Sequence, residues 1–350
     1  MVRLQQDALK ETMPSTTNDS IDWNGKTVLV TGGTGSFGRR FAETLLDLYK
    51  LRKLIILSRD EHKQYDMQQS EVFRGREELR YFIGDVRDQD RLRMAMRGVD
   101  CVIHAAALKH VPAAEYNPFE CIRTNVNGAE NIVSAAIENG VPRVIALSTD
   151  KAVNPINIYG ASKLASDKIF VAGNMLAADA PTRFAVVRYG NVLGSRGSIV
   201  PLLRQFVAEG RKSLPLTDER MTRFWITLDQ GIEFVLSSAG LMRGGEIFVP
   251  KVPSMKIVDM MEAIAPGIPH EVIGIRPGEK LHEVLMSEDD TAIVLDFGDR
   301  YAICPNHDTR IQAFHEQNGA IAVEQGFRYA SDANDDWLDA DGLKALIGEE

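Results

Sequence analysis

Tyr159 and Lys163 stand four residues apart, shortly after Ser148-Thr149-Asp150-Lys151. On a helix, positions i and i+4 share one face, about 6 Å apart. An ammonium beside a phenol stabilises the phenolate and lowers its pKa from about 10. Such a phenol can take a hydroxyl proton while the carbon bearing that hydroxyl passes hydride to a nicotinamide. The spacing alone is common, so its meaning depends on what precedes it. That is a loop of Gly32, Thr34, Gly35, Ser36, Phe37 and Gly38, directly after an apolar run, Thr27 to Val30. Glycines there let the backbone turn tightly and approach a pyrophosphate, and the following helix points free N–H groups at it. A glycine triad between a first strand and a first helix is a strong dinucleotide signal.

About twenty residues further on, NAD-binding chains usually carry Asp or Glu for the ribose hydroxyl. Here the position reads Ser58-Arg59, with Lys63 one helical turn later. A guanidinium and a hydroxyl suit the extra phosphate of NADP, so NADP is the expected cofactor. Asp60 and Glu61 keep NAD as the alternative. Asp85 and Val86, after the third apolar run, and Ala106, after the fourth, join the expected cofactor set. The plainer readings are a solvated helix start for Arg59 and Lys63 and a helix cap for Asp85. The plainer reading of Asp150 and Lys151 is an exposed ion pair at a strand end. Beside Tyr159 and Lys163, a catalytic pair is the better reading.

Arg276-Pro277-Gly278-Glu279-Lys280 is a compact polar turn. Arginine can grip a diphosphate bidentately, and a carboxylate can accept ribose hydroxyls. Lys109, Asn191 and Arg223 are further substrate-binding candidates, although the neighbouring Phe224-Trp225 also fits a core position for Arg223. His104, His110 and His282 do not cluster at metal-ligand spacing, and Cys101, Cys121 and Cys304 form no CxxC pair. No metal site is expected, and reduced thiols in the cytoplasm are the plain reading. His104 reads as a strand-end packing residue.

The elements that must position these residues follow from the apolar pattern. Runs at Thr27–Val30, Leu54–Leu57, Tyr81–Ile83, Cys101–Ile103, Val144–Leu147 and Phe184–Val187 alternate with helical stretches. This rhythm predicts a parallel sheet covered on both faces, in a doubly wound Rossmann-type α/β fold. Active groups of such a sheet gather at the carboxyl ends of its strands. After about Ser195 the rhythm changes. Helical segments near 199–209 and 229–241 mix with short runs such as Glu246–Val249, and Pro and Gly crowd in. The expected division is a tail over residues 1–22, a dinucleotide domain over 23–195 and a smaller α/β substrate domain over 196–350.

The chain has 350 residues, enough for two lobes, and a formal net charge of -9. That balance disfavours nucleic-acid binding, which needs clustered Lys and Arg. No apolar run reaches the roughly 18–20 residues that span a bilayer, and no secretory signal opens the chain. Neither a membrane nor a nucleic acid is an expected partner, and residues 1–22 are expected to carry no chemistry.

Thr-Gly-x-x-Gly-x-x-Gly followed by Tyr-x-x-x-Lys resembles the extended short-chain dehydrogenase/reductases. Within that class, STDKAVNPINIYGASK (Ser148 to Lys163) is similar to the inverting UDP-N-acetylglucosamine 4,6-dehydratases of pseudaminic acid biosynthesis. So are HAAALKHVPAAEYNPFE from His104, RYGNVLGSRGSIVP from Arg188, RMTRFWITLDQG from Arg220, GGEIFVPKVPSM from Gly244 and GIRPGEKLHEVL from Gly274. The likeness covers roughly residues 24 to 345. It implies a UDP-sugar substrate and a homo-oligomer, dimer or higher. It also implies a redox-neutral reaction: hydride leaves sugar C4, water is eliminated across C5–C6, hydride returns to C6, and C5 is reprotonated from the opposite face. The resemblance implies Tyr159 with Lys163 as the C4 hydroxyl base, assisted by Thr149. Lys151 is then favoured as the C5 base and Asp150 as the acid for the departing C6 hydroxyl, which requires Asp150 to be protonated; the reverse assignment of the two stays open. Arg276 and Glu279 are implied on the UDP. A nucleotide-sugar 4-epimerase would share the cofactor, Tyr159 and Lys163 but has no need of an elimination pair. A retaining 4,6-dehydratase is a second alternative, and a non-catalytic NADP sensor has no need of Tyr159 and Lys163.

Overall fold

The computed structural model describes residues 21–194, 199–290, 293–306 and 308–348. The expected tail, residues 1–22, lies almost wholly outside them, as do the residues at the expected domain boundary. Ile21 packs against the core and Trp23 is buried within it.

Six strands come first: β1 (Thr27–Thr31), β2 (Lys53–Ser58), β3 (Leu79–Ile83), β4 (Cys101–His104), β5 (Arg143–Thr149) and β6 (Arg183–Tyr189). Each covers one expected apolar run and extends it by one to three residues. Between them lie helices α1 (Ser36–Leu48), α2 (Glu61–Gln69), α3 (Gln89–Ala95), α4 (Val111–Tyr116), α5 (Pro118–Ile122), α6 (Gly128–Glu138) and α7 (Ile158–Leu176). Local chemistry starts several of them. Asp60, Asp88 and Asn157 accept a backbone N–H at the first turns of α2, α3 and α7.

The remaining elements are β7 (Asn191–Val192), α8 (Ile199–Ala208), β8 (Leu214–Leu216), β9 (Thr222–Ile226), α9 (Leu228–Leu241), β10 (Ile247–Pro250), β11 (Ser254–Lys256) and α10 (Ile257–Ile264). They continue with β12 (His270–Val272), β13 (Val284–Met286), β14 (Val294–Asp296), β15 (Arg300–Ile303), α11 (Thr309–Gln317), β16 (Ile321–Ala322), β17 (Tyr329–Ala330) and α12 (Ala340–Ile347).

The main sheet has ten strands in the order β16-β14-β15-β10-β6-β5-β4-β1-β2-β3. The run from β3 to β10 is parallel, and β15, β14 and β16 extend it antiparallel. Strand order reverses between β1 and β4, which opens a crevice at their carboxyl ends. Thr31 and His104 are partners in that register, as are Thr149 and Tyr189 at the ends of β5 and β6. A second core gathers Leu203, Phe206, Trp225, Met255, Met260 and Leu343 around α8, α10 and α12. Beyond residue 198 the chain serves both bodies. Strands β10 and β14–β16 join the main sheet, whereas α8, β8, β9 and α10 build the second core.

Candidate active site

The glycine loop closes against the end of β4. Gly32 has φ +64°, and a Cβ there would stand 2.9 Å from the Ala106 backbone. A Cβ on Gly38 would meet Gly33 Cα at 2.5 Å, so α1 can pack on the loop only as glycine. Helix α1 starts at Gly35 with no side-chain cap, which leaves its first N–H groups for an anion. Below the loop, Thr31 Oγ1 pairs with His104 Nδ1 at 2.9 Å and accepts the Ala106 N–H at 3.2 Å. His104 is therefore more than packing: it holds β1, β4 and the loop after β4 together. These residues fit a dinucleotide, because the crowded backbone and the uncapped helix both face the crevice.

At the end of β2, the Arg59 side chain is 60% exposed and lies 3.7 Å from Asp85. Asp60 is occupied as the cap of α2, accepting Lys63 N at 3.0 Å and pairing with Lys63 Nζ at 3.1 Å. Gln64, buried, donates to Ser58 Oγ at 3.0 Å and fixes the strand end. Asp85 is clasped by Arg87. Burial pushes its carboxyl up, but the Arg87 hydrogen bonds outweigh this and hold it below its usual range. Val86 is buried where α6 begins, 2.9 Å from the position of a Cβ on Gly128.

Strand β5 ends in Thr149, and a single 3-10 turn, Asp150–Ala152, delivers Asp150 and Lys151 to the same edge. Asp150 is fully buried. Its Oδ1 accepts Thr149 Oγ1 at 2.7 Å and Lys151 Nζ at 3.1 Å. Burial raises the Asp150 carboxyl, but Lys151 and Thr149 outweigh it and keep it ionised. The protonated Asp150 required of an acid is therefore not what its surroundings favour. Lys151 feels burial too, yet Asp150 and Glu283 hold its ammonium above the ordinary range.

Helix α7 brings Tyr159 and Lys163 to this edge, both buried. The expected pairing differs from what is found. Lys163 Nζ donates one of its three N–H groups to the Leu147 carbonyl at 2.7 Å, which holds the ammonium against β5. Burial pushes the Tyr159 phenol up to about 12, opposed by the charge of Lys151 and a hydrogen bond with Thr149. In this arrangement Lys151, not Lys163, is the cation that favours phenolate. Burial also lowers the Lys163 ammonium, and Asp167 partly offsets this.

The second body closes the site with β9 and the 276–283 segment. Arg223 is buried and donates to the carbonyls of Thr222, Leu281 and Lys280 at 2.7, 3.0 and 2.9 Å. It stands 3.6 Å from both Glu279 Oε1 and Glu283 Oε1. Asn157, the cap of α7, also donates to the Gly278 carbonyl at 2.8 Å, and Lys280 Nζ donates to the Val153 carbonyl. Arg276 and Lys109 are exposed; the Arg276 carbonyl accepts Glu279 N at 3.0 Å, and among the described residues neither side chain hydrogen-bonds to these groups. Buried polar atoms without partners among the described residues include Asp150 Oδ2, Asn191 Nδ2, Glu279 Oε2 and Glu283 Oε2. Unpaired buried groups are costly, so these four atoms are suited to take a polar ligand.

Two contributors escaped the sequence. Asn125 sits in a π-helical turn, Arg123–Asn127, and clasps Leu108 through both its backbone groups at 2.8 and 3.0 Å. It also donates to Ser162 Oγ on α7 at 2.9 Å. Glu283 is the other. Its only signal was a carboxylate set at the opening of an apolar run, Val284-Leu285-Met286. Among the described residues no cluster of His, Cys, Asp and Glu could hold a metal ion, and no helix is long and apolar enough to cross a membrane. The three cysteines are free and buried.

Fold and site together define an extended short-chain dehydrogenase/reductase. The chain belongs to the family described as polysaccharide biosynthesis protein, whose model matches residues 28–305. It is 55% identical over 332 residues to the UDP-N-acetylglucosamine 4,6-dehydratase (inverting) of Campylobacter jejuni, covering 93% of this chain and 98% of that one. It is 43% identical over 286 residues to the UDP-glucose 4-epimerase of Rickettsia canadensis, covering 79% and 82%. Among solved structures it is similar to Pen from Bacillus thuringiensis, with 35% identity, a TM-score of 0.84 and coverage of 93% and 98%.

Proposed function

We propose that the chain is an inverting UDP-N-acetylglucosamine 4,6-dehydratase that uses NADP. The observation that carries this reading is the ion cluster Asp150–Lys151–Glu283 beside Tyr159 and Thr149. A tyrosine alone serves C4 oxidation. An elimination across C5–C6 needs a second proton-handling group within reach, and Lys151 is that group. The 55% identity to the Campylobacter jejuni enzyme supports the same substrate and outcome.

Tyr159 takes the C4 hydroxyl proton, and Thr149 orients that hydroxyl. Lys163 anchors the end of β5 through the Leu147 carbonyl. The bound dinucleotide supplies hydride acceptance and return. Once C4 is a ketone, the C5 proton is acidic, and Lys151 takes it. Asp150, held ionised, fixes the Lys151 ammonium rather than acting as the acid. Arg276 and Glu279 hold the diphosphate and ribose of UDP, with Lys109, Asn191 and Arg223 around them. The exposed Arg59 favours NADP over NAD, since a guanidinium there suits the extra phosphate. A homo-oligomer, dimer or higher, and a cytoplasmic setting belong to the same reading. The buried thiols fit the setting, and light scattering of the purified protein decides the assembly.

The test is mass spectrometry of UDP-N-acetylglucosamine incubated in deuterated water, with no added reductant and with NADP or NAD in parallel. The expected product lacks one water and carries one deuterium at C5, with C5 inverted by NMR, and forms faster with NADP. An unchanged mass with altered C4 configuration would make the chain a 4-epimerase. Retained C5 configuration would make it a retaining dehydratase.

A further inference from the structure

Glu283 has no part in the roles assigned above. It lies just before β13, and its backbone is pinned on both sides by Ser331. Glu283 N donates to Ser331 Oγ at 2.9 Å, and Ser331 N donates to the Glu283 carbonyl at 2.8 Å. Its side chain is 2% exposed, against 27% for Lys151. Lys151 is thus the more accessible of the two, and Glu283 is the more deeply buried. Oε1 of Glu283 is 3.6 Å from Lys151 Nζ, and Oε2 has no hydrogen-bond partner among the described residues. Lys151 Nζ thus sits between two buried carboxylates, with Asp150 at 3.1 Å on the other side.

The two carboxylates are not equivalent. Asp150 receives a hydroxyl and an ammonium at hydrogen-bond distance, which stabilises its charge. Glu283 receives neither at that distance. The charged and titratable groups around the pair are Asp150 from the turn after β5, Tyr159 from α7, Arg223 from β9 and Lys280 from the segment before Glu283. Burial, then the charge of Asp150, pushes the Glu283 carboxyl up, against Lys151 and Arg223. A base for C5 must start as an amine, and an ammonium locked to Asp150 is not one. The proton needs another place to go, and one of the two carboxylates is suited to hold it.

We infer that Glu283 is the positioning residue that takes up the proton Lys151 must shed once substrate is bound, so that Lys151 reaches C5 as an amine; without substrate that proton stays on Lys151, between the two carboxylates. The inference rests on the dehydratase reading above. The amine lone pair takes the C5 proton, and the C5–H electron pair becomes the C5–C6 double bond. The C6–O bond breaks with its electrons on oxygen. That oxygen takes one proton from the Lys151–Glu283 pair and leaves as water. The pair gains one proton and gives one, so it ends as it began.

Wild type, Glu283→Gln and Glu283→Asp are compared with UDP-N-acetylglucosamine in deuterated water. Glu283→Gln keeps the shape and removes the proton site. It is expected to keep KM within about twofold and to lose kcat by about 100-fold near neutral pH, the scale of one general acid–base contribution. Its kcat should climb about tenfold per pH unit from about pH 7 to 9, where wild type stays level. Lys151 must then lose its proton to solvent, and Asp150 keeps that proton tightly held. C5 deuterium incorporation should fall with kcat, while single-turnover reduction of the nicotinamide is retained. Glu283→Asp should restore most of the level profile. Wild-type C5 exchange and a level profile in Glu283→Gln would overturn the inference. So would equal inactivity of both variants at every pH with lowered thermal stability, which would make Glu283 a folding residue. Wild type that neither loses water nor exchanges C5 would overturn the dehydratase reading itself, and no variant is needed to see that.

Discussion

A neutral imidazole at the heart of the crevice is a liability in acid. His104 is fully buried, and burial, with the Lys163 charge, pushes its pKa down to about 3. The unfolded chain binds a proton there below about pH 6.5, and the folded chain does not. Because the unfolded state binds more protons in that window, stability rises with pH from about 3 to 6.5 and is lost on acidification, by about 1.4 kcal/mol per pH unit. His104→Gln can still pair with Thr31 and removes this dependence. The Tm of the variant should fall less steeply than wild type between about pH 6.5 and 4.5. Equal slopes would place the acid sensitivity in other groups. The same burial governs Tyr159, whose phenol is raised to about 12 where spacing alone predicts a lowered value. Helical spacing says which residues share a face. It does not say which way a lysine turns or how dry the site is.

At the scale of elements, α7 carries the chemistry and its far turns carry the anchor. Asp167, one turn after Lys163, is buried and accepts Ser148 Oγ from β5 at 2.7 Å and Arg188 Nη2 from β6 at 3.3 Å. Arg188, also buried, donates to the Leu285 carbonyl of β13 at 3.0 Å. One ion pair thus ties the catalytic helix to two central strands and to the strand that follows Glu283. Removing one partner of a buried pair leaves the other charge uncompensated and costs about 3–5 kcal/mol. Asp167→Ala is expected to lose about 3 kcal/mol in denaturant unfolding, the low end of that range because Asp290 stays 3.6 Å from Arg188. A loss under about 1 kcal/mol in Asp167→Ala would mean that solvent reaches Arg188. Strand positions were legible because a parallel sheet buried on both faces demands unbroken apolar runs. The π-helical turn that places Asn125 was not, because nothing in Arg123-Thr124-Asn125-Val126-Asn127 departs from ordinary helix composition.

At the scale of the molecule, the segment beyond residue 198 meets the dinucleotide side through shared core and through polar links over the site. Asn157 does two jobs, donating to the Gly278 carbonyl at 2.8 Å and accepting Gly160 N at 2.7 Å as the cap of α7. Asn157→Ala should cost about 1 kcal/mol through the lost cap. It should also raise KM for the UDP-sugar more than for the dinucleotide, because the 276–280 turn loses one of its tethers to the dinucleotide side. Equal effects on both ligands would show that the cap alone matters. A bidentate pair between Arg40 of α1 and Asp229 of α9, at 2.6 and 3.1 Å, fastens a helix from beyond residue 198 onto the dinucleotide side. With β10 alongside β6, it makes the expected single boundary near residue 195 too simple a description of the chain's path.

The sequence by itself determined the doubly wound sheet, the phosphate loop and the presence of Tyr159, Lys163, Asp150 and Lys151 at one sheet edge. Each follows from local pattern: apolar runs, glycine placement and residue spacing near strand ends. Only the tertiary structure decided the charges. Lys163 turns to Leu147, Asp150 is held ionised by Thr149 and Lys151, and Glu283 arrives from more than a hundred residues away to share Lys151. A proton's position depends on the summed field and dryness of everything packed around it, and that sum exists only after the chain has folded.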